Sequence, residues 1–251
     1  MFRHQGKRRT IKHNLRIAMV LSFVAGIVNV AGFLSIKQLT TNVTGHFALF
    51  INDVADLEFW KGTIYFLYIL SFLVGSFLSG FLIEKFRGEG KLNIFVIPII
   101  IESLILLSVA LLGNIVGIQY PDLIACLLLL AMGMQNSYVT KISNAVVRTT
   151  HLTGLFTDLG IDLSQLLFPK LYPDKATLRS TIKLRSSIIL FFFFGGLAGG
   201  FLYSKLDLKL NTLILGAVIL LTSLFYDEIR YRFIKAKRRS STKRRTGNQS
   251  V

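Results

Sequence analysis

A single cysteine, Cys126, stands in a chain of 251 residues. No internal disulfide can form, and thiols cannot build a metal cluster. Charge is scarce as well: 17% of residues are Asp, Glu, Lys or Arg, against 52% hydrophobic. A soluble domain needs more polar surface than that, because its exterior faces water. Catalytic signatures are missing too. There is no HExxH, no P-loop and no nucleophile–base constellation. The chain is read as non-enzymatic, with no catalytic residues and no cofactor. His46 and His151 have no acid at a fixed ligand spacing, so no metal site is expected.

What is present is long apolar sequence. Six blocks approach the ~20 apolar residues that a membrane-crossing helix requires: Ile17–Ile36, Thr63–Ile83, Leu92–Leu112, Leu123–Val139, Ser186–Tyr203 and Leu210–Phe225. The blocks are continuous rather than alternating, which excludes barrel strands. The first is too long for a typical signal-peptide core, and no clear small-residue cleavage site follows it, so it reads as a retained helix. Two shorter stretches, 46–57 and 155–168, carry Asp53, Asp56, Asp158 and Asp162. If both crossed, the chain would have eight spans.

Positive charge arbitrates. With six spans and the N-terminus inside, Lys85, Arg87, Lys91, Lys141, Arg148, Lys170, Lys175, Arg179, Lys183 and Arg185 fall on the cytoplasmic side. Lys205 and Lys209 run against the pattern. Eight spans would move Lys85–Lys91 outside, so six are expected, with the two short stretches as re-entrant or interfacial helices. The net charge of +16 sits largely in two tails, 1–16 and 227–251. Beside membrane spans, such tails are topogenic and attract anionic lipid headgroups. Nucleic acid is not expected as a partner. Both termini are expected in the cytoplasm, at the inner (plasma) membrane, and homo-oligomerisation is left open.

The chain also repeats itself. Thr40-Thr41-Asn42-Val43-Thr44-Gly45-His46-Phe47 matches Thr149-Thr150-His151-Leu152-Thr153-Gly154-Leu155-Phe156. The same register pairs Asp53 with Asp162. Upstream, Gly26–Asn29 resembles Gly133–Asn136; downstream, Gly75–Leu82 resembles Gly195–Leu202, and Leu92-Asn93 resembles Leu210-Asn211. Each half, 17–114 and 115–226, then holds three spans and one short helix. Three is odd, so the second half is expected to be inverted relative to the first. The fold expected is all-α integral membrane: six transmembrane helices plus two short helices in an inverted 3+3 repeat. Inverted repeats with interrupted helices are a recurring transporter architecture.

The combination of Gly-x-x-Asn, a Thr-Gly pair after the first helix and a second Thr-Thr-x-x-Thr-Gly resembles the YoaK-like family of bacterial integral membrane proteins. The resemblance covers roughly Arg16 to Phe225. It implies a fold and a membrane location, and no substrate. Family members often carry Asn directly after the first Thr-Gly, where this sequence has His46.

Several residues are candidates for function. Thr44 and Thr153 are expected to cap the short helices, each followed by a glycine, Gly45 or Gly154, that permits close backbone approach. Helix N-termini attract anions, so Thr40, Thr41, Thr44, Gly45, Thr149, Thr150, Thr153 and Gly154 form a candidate anion or carboxylate site. The structural alternative is that Thr-Gly merely starts a helix. Asp53 and Asp162 are candidates for ion or proton coupling, or mark wet helix ends. Glu102 lies mid-span, where a carboxylate is costly; it is a third candidate for ion or proton coupling, the alternative being a protonated carboxyl hydrogen-bonded to a neighbouring helix. Asn29, Gln135 and Asn136 read as interhelical polar contacts. The glycines at 75, 80, 195, 196, 199 and 200 read as close-packing positions. Taken together the residues suggest a small-solute transporter or permease; the alternatives are a membrane scaffold or regulator working through its basic tails and, further off, an intramembrane enzyme.

Overall fold

The computed structural model describes residues 10–87 and 94–226. The basic residues in 1–9 and 227–251, Lys91, and the Leu92-Asn93 match lie outside the described residues. Six helices are long and apolar enough to cross a membrane: α1 (Ile11–Ile36), α3 (Phe59–Lys85), α4 (Val96–Gln119), α5 (Pro121–Ser143), α7 (Lys175–Ser204) and α8 (Lys209–Tyr226, opening with a 3-10 turn at Lys209–Thr212). Two are short: α2 (Val43–Ala55) and α6 (Leu152–Leu166). At 1.5 Å per residue these reach only ~20 Å, less than the ~30 Å hydrocarbon core. The eight-span alternative therefore falls, and the chain is a multi-pass membrane protein of six spans.

Boundaries differ from the sequence reading for local reasons. α1 begins at Ile11 rather than Ile17, so Lys12 and Arg16 lie in its first turns. α4 starts at Val96 and runs on past Leu112, the expected end of its span, to Gln119, and Pro121 then opens α5. Proline is favoured at that first helical position because its missing N–H would be unpaired there anyway. The short helices start three residues earlier than expected, at Val43 and Leu152 instead of His46 and Leu155.

Contact positions give relative directions. Phe23 meets Gly195, Ile27 meets Gly199 and Val30 meets Gly200, so α1 and α7 run the same way. Phe72 meets Gly133, Gly80 meets Ser137 and Glu84 pairs with Lys141, so α3 and α5 run together. α4 runs against α5, with Glu102 beside Gln135 and Tyr138, and Gly113 beside Ile124. α8 runs against α4, through Asn114–Asn211 and Leu106–Gly216, and against α1, through Val24–Gly216 and the Arg16–Tyr226 end. Hence α1, α4 and α7 point one way, and α3, α5 and α8 the other.

Lipid tails supply no hydrophobic drive between helices, so these crossings depend on close packing. Two of them are built alike. A β-carbon at Gly26 would strike the Phe192 carbonyl, and one at Gly195 the Phe23 carbonyl. A β-carbon at Gly75 would strike the Leu130 carbonyl, and one at Gly133 the Phe72 carbonyl. Each helix thus offers a carbonyl three residues before the glycine that receives its partner's carbonyl. α1 and α5 form the buried centre, whereas α3 and α7 expose apolar faces including Leu73, Phe77, Phe193 and Leu197.

Candidate functional site

α1 and α5 end in the same manner. Lys37 and Asn144 take left-handed conformations (φ 57° and 54°) and turn the chain back on itself. An irregular limb then runs back along each helix. Thr40 Oγ1 donates to the Val28 carbonyl at 3.1 Å, and Thr41 Oγ1 to Asn29 Oδ1 at 2.7 Å. Thr149 Oγ1 donates to Gln135 Oε1 at 3.1 Å, and Thr150 Oγ1 to Asn136 Oδ1 at 3.0 Å. Asn29 and Asn136 each lie seven residues before the last residue of their helix, so each tip sits ~10 Å inward from that end. From there α2 runs back along α3, with His46 beside Tyr68 and Phe50 beside Gly62, and α6 runs back along α7. The second limb is longer by two residues, and a further left-handed residue, Ala145 (φ 62°), lies in it.

The anchors correct two expectations. Thr44 and Thr153 do not cap the short helices. Asn42 is the N-cap of α2, its Oδ1 accepting from Gly45 N at 3.1 Å, and His151 holds the same place in α6. Thr44 and Thr153 are the second residues inside their helices, and both are exposed. Asn42 takes the cap because the returning limb enters the helix there, which brings its Oδ1 to the third helical N–H. Asn29 and Asn136 are likewise not contacts between spans. They hold the returning limbs to the helices that precede them. The glycines differ in purpose: a β-carbon at Gly154 would run into the His151 ring, whereas at Gly45 it would lie 3.1 Å from Leu39 Cδ1.

Gln135 links the second tip to the span interior. Its Nε2 donates to Glu102 Oε1 at 3.0 Å, while Tyr138 OH donates to Glu102 Oε2 at 2.7 Å. Thr149, Gln135, Glu102 and Tyr138 are all fully buried. Both carboxyl oxygens are therefore satisfied by neutral donors, and no cation pairs with Glu102 among the described residues. The repeat-related contact of α1 with α8 has nothing comparable: Val28 and Ala31 of α1 and Leu220 of α8 stand where α5 has Gln135 and Tyr138 and α4 has Glu102, and all three are fully buried. Tyr138 was not singled out from sequence, although it lies one turn after Gln135 on the same helix face.

The short helices also differ. Asp162 is buried and ion-paired with Arg185 of α7, which lies 3.4 Å from Asp158 as well. Asp53 is half-buried and has no ion pair among the described residues. Tyr65 stands at Arg185's place in the repeat. On that side His46 does the fastening. Its Nε2 donates to the Leu39 carbonyl at 2.6 Å, and its ring packs edge-on against Tyr68 at 4.9 Å and stacks on Tyr65 at 6.1 Å. Tyr68 OH donates in turn to Asp122 at the start of α5. Burial lowers the pKa of His46, opposed by the Leu39 bond, and its Nδ1 has no partner. The described residues contain no cluster of three or more His, Cys, Asp or Glu able to hold a metal.

The chain is similar to the UPF0700 transmembrane protein YoaK of Bacillus subtilis (strain 168), with 27% identity over 175 residues, 68% of this chain and 76% of that protein. No solved structure matches. A family model described as "Protein of unknown function (DUF1275)" matches residues 17–226, which takes in both tips and Glu102. The chain is a member of that DUF1275/UPF0700, YoaK-like family of membrane proteins.

Proposed function

We propose that the protein is a small-solute transporter or permease rather than an enzyme, built as an inverted 3+3 repeat with both termini in the cytoplasm. The observation that carries this reading is the pair of re-entrant tips, each fastened by a Thr–Asn bond at the same distance inside its helix end. The opposed directions of α1 and α5, α3 and α7, and α4 and α8 support the inversion. Non-helical backbone at membrane depth is tolerated where protein or water surrounds it. Exposed Asn42, Thr44, His151 and Thr153 at the tips suit a hydrated solute path. The first N–H groups of α2 and α6 point along that path and favour an anion or carboxylate.

Glu102 is the coupling residue in this scheme. An added proton on Glu102 turns one of its acceptor oxygens into a donor, which the Tyr138 hydroxyl meets by rotating and the Gln135 amide only by turning over. Turning the Gln135 amide over presents Oε1 to Glu102 and Nε2 to Thr149, whose hydroxyl then accepts instead of donating, so the added proton is registered at the second tip. The first tip, held by a backbone carbonyl and Asn29, has no such relay.

Proteoliposomes loaded with a panel of anions and carboxylated metabolites test the proposal. Saturable flux is expected, driven by an imposed proton gradient and uncoupled from it in Glu102→Gln. Absence of substrate-dependent flux across the panel overturns it.

A further inference from the structure

Beside the second tip lies a groove of about 750 Å³ between α1, α6 and α7. Gly196, Gly200 and Val30 line its base, where α7 packs closely on α1: a β-carbon at either glycine would come within 3.0 and 3.3 Å of the Val30 methyls. Leu152, Phe156, Ile189, Phe193, Leu197 and Phe201 make up its walls. Along α7 it runs from Ile189 to Lys205, ~24 Å at the helical rise, which exceeds the ~15 Å of a single leaflet's hydrocarbon. At its mouth stand Ser204 and Lys205, both exposed. No acidic side chain pairs with Lys205 among the described residues, and this lysine runs against the charge pattern that orients the spans.

We propose that this groove is a binding site for one anionic phospholipid, with an acyl chain along Gly196 and Gly200 and the headgroup phosphate at Lys205 and Ser204. The shape is linear and apolar, as an extended chain requires. The single cation at the surface end selects the headgroup, as basic pockets beside spans do. A lysine that only snorkelled would need no groove beneath it. The bound chain lies against Leu152 and Phe156, the first turns of α6, so the lipid props the second tip from its membrane side.

The only tryptophan, Trp60, sits elsewhere, on α3, which permits a site-specific reporter. The full chain carrying Trp60→Phe and Leu197→Trp is reconstituted in mixed phosphatidylcholine and phosphatidylglycerol vesicles, with a minor fraction of one lipid brominated. Brominated phosphatidylglycerol should quench several-fold more strongly than the same fraction of brominated phosphatidylcholine. That preference should vanish with Lys205→Gln and be missing from a reporter at Leu73→Trp on the exposed face of α3. Equal quenching by the two lipids at position 197, or a preference that survives Lys205→Gln, overturns the proposal. Native mass spectrometry of chains with the natural Trp60 and Leu197 provides a second reading. Retained phosphatidylglycerol should be present with Lys205 and absent with Lys205→Gln; equal retention counts against the site.

Discussion

Gln135 stands between Thr149 and Glu102, accepting from the threonine hydroxyl at 3.1 Å and donating to the carboxyl at 3.0 Å. One amide thereby joins the tip of a returning limb to a carboxyl buried between two spans. Its two ends face opposite partners, so turning the amide over would exchange donor and acceptor at both.

Gln135→Leu should leave Glu102 Oε1 and the Thr149 hydroxyl unpaired in a dry interior. Each stranded group costs ~1–3 kcal/mol. A clear drop in thermal unfolding temperature in detergent is expected. Glu102→Leu combined with Gln135→Leu should recover part of it, because paired apolar replacement removes the stranded carboxyl. If the double variant is simply as unstable as the two single losses added, the bond between them is not coupled.

The glycine crossings predict a contrast within one helix. Gly75→Ala should destabilise by ~1–3 kcal/mol, the usual cost of overpacking, since its β-carbon meets the Leu130 carbonyl. Gly80→Ala has 3.6 Å to its nearest neighbour and should be neutral, or gain a few tenths through helix propensity. Gly160→Ala on α6, with nothing within 4 Å, should also gain. Denaturation of the three variants side by side reads the difference.

The threonines should divide by role. Thr41→Val and Thr150→Val each remove one hydrogen bond to an asparagine and should lower stability by ~1 kcal/mol. Thr44→Val and Thr153→Val alter exposed positions and should leave stability within ~0.5 kcal/mol. If the tips bind solute, the second pair should impair flux while folding stays intact. Stability loss at Thr44 equal to that at Thr41 would contradict the assignment.

His46 gives a pH dependence. Its pKa in the fold lies below the ordinary 6.5 because burial opposes the charged form. The unfolded chain therefore binds the extra proton first. The contribution to stability is complete above about pH 6.5 and is lost as pH falls toward and through the lowered value. Unfolding temperatures compared between pH 7.5 and 5.5, both figures being about one unit either side of that value, should fall more for the natural chain than for His46→Asn. An equal fall in both would mean that His46 does not titrate in this range.

The apolar blocks and the loop charge together were enough to determine six spans, because continuous hydrophobic runs of membrane length cross as helices and the loop lysines and arginines decide against the two short stretches crossing. Local spacing also marked the Thr-Thr-x-x-Thr-Gly segments and Glu102 as unusual. Helix starts were less legible. Asn42 and Thr44 are both good capping residues, and only the path of the returning limb decides which one meets the open N–H group. The partners were not legible at all. Glu102 and Gln135 are 33 residues apart, and Gln135 and Thr149 lie on different elements. Nothing periodic in the sequence encodes that proximity. The tertiary structure decides it, because packing α4 on α5 and folding the limb back along α5 are long-range events. The same holds for the groove beside α6. The paired glycines forecast close packing, and they provide it, at Gly195 against the Phe23 carbonyl and at Gly196 and Gly200 against the Val30 methyls; the groove alongside them was not forecast. The repeated threonines are alike as sequence. The three-dimensional setting separates them into two that anchor a limb to its helix and one that stands free at the tip.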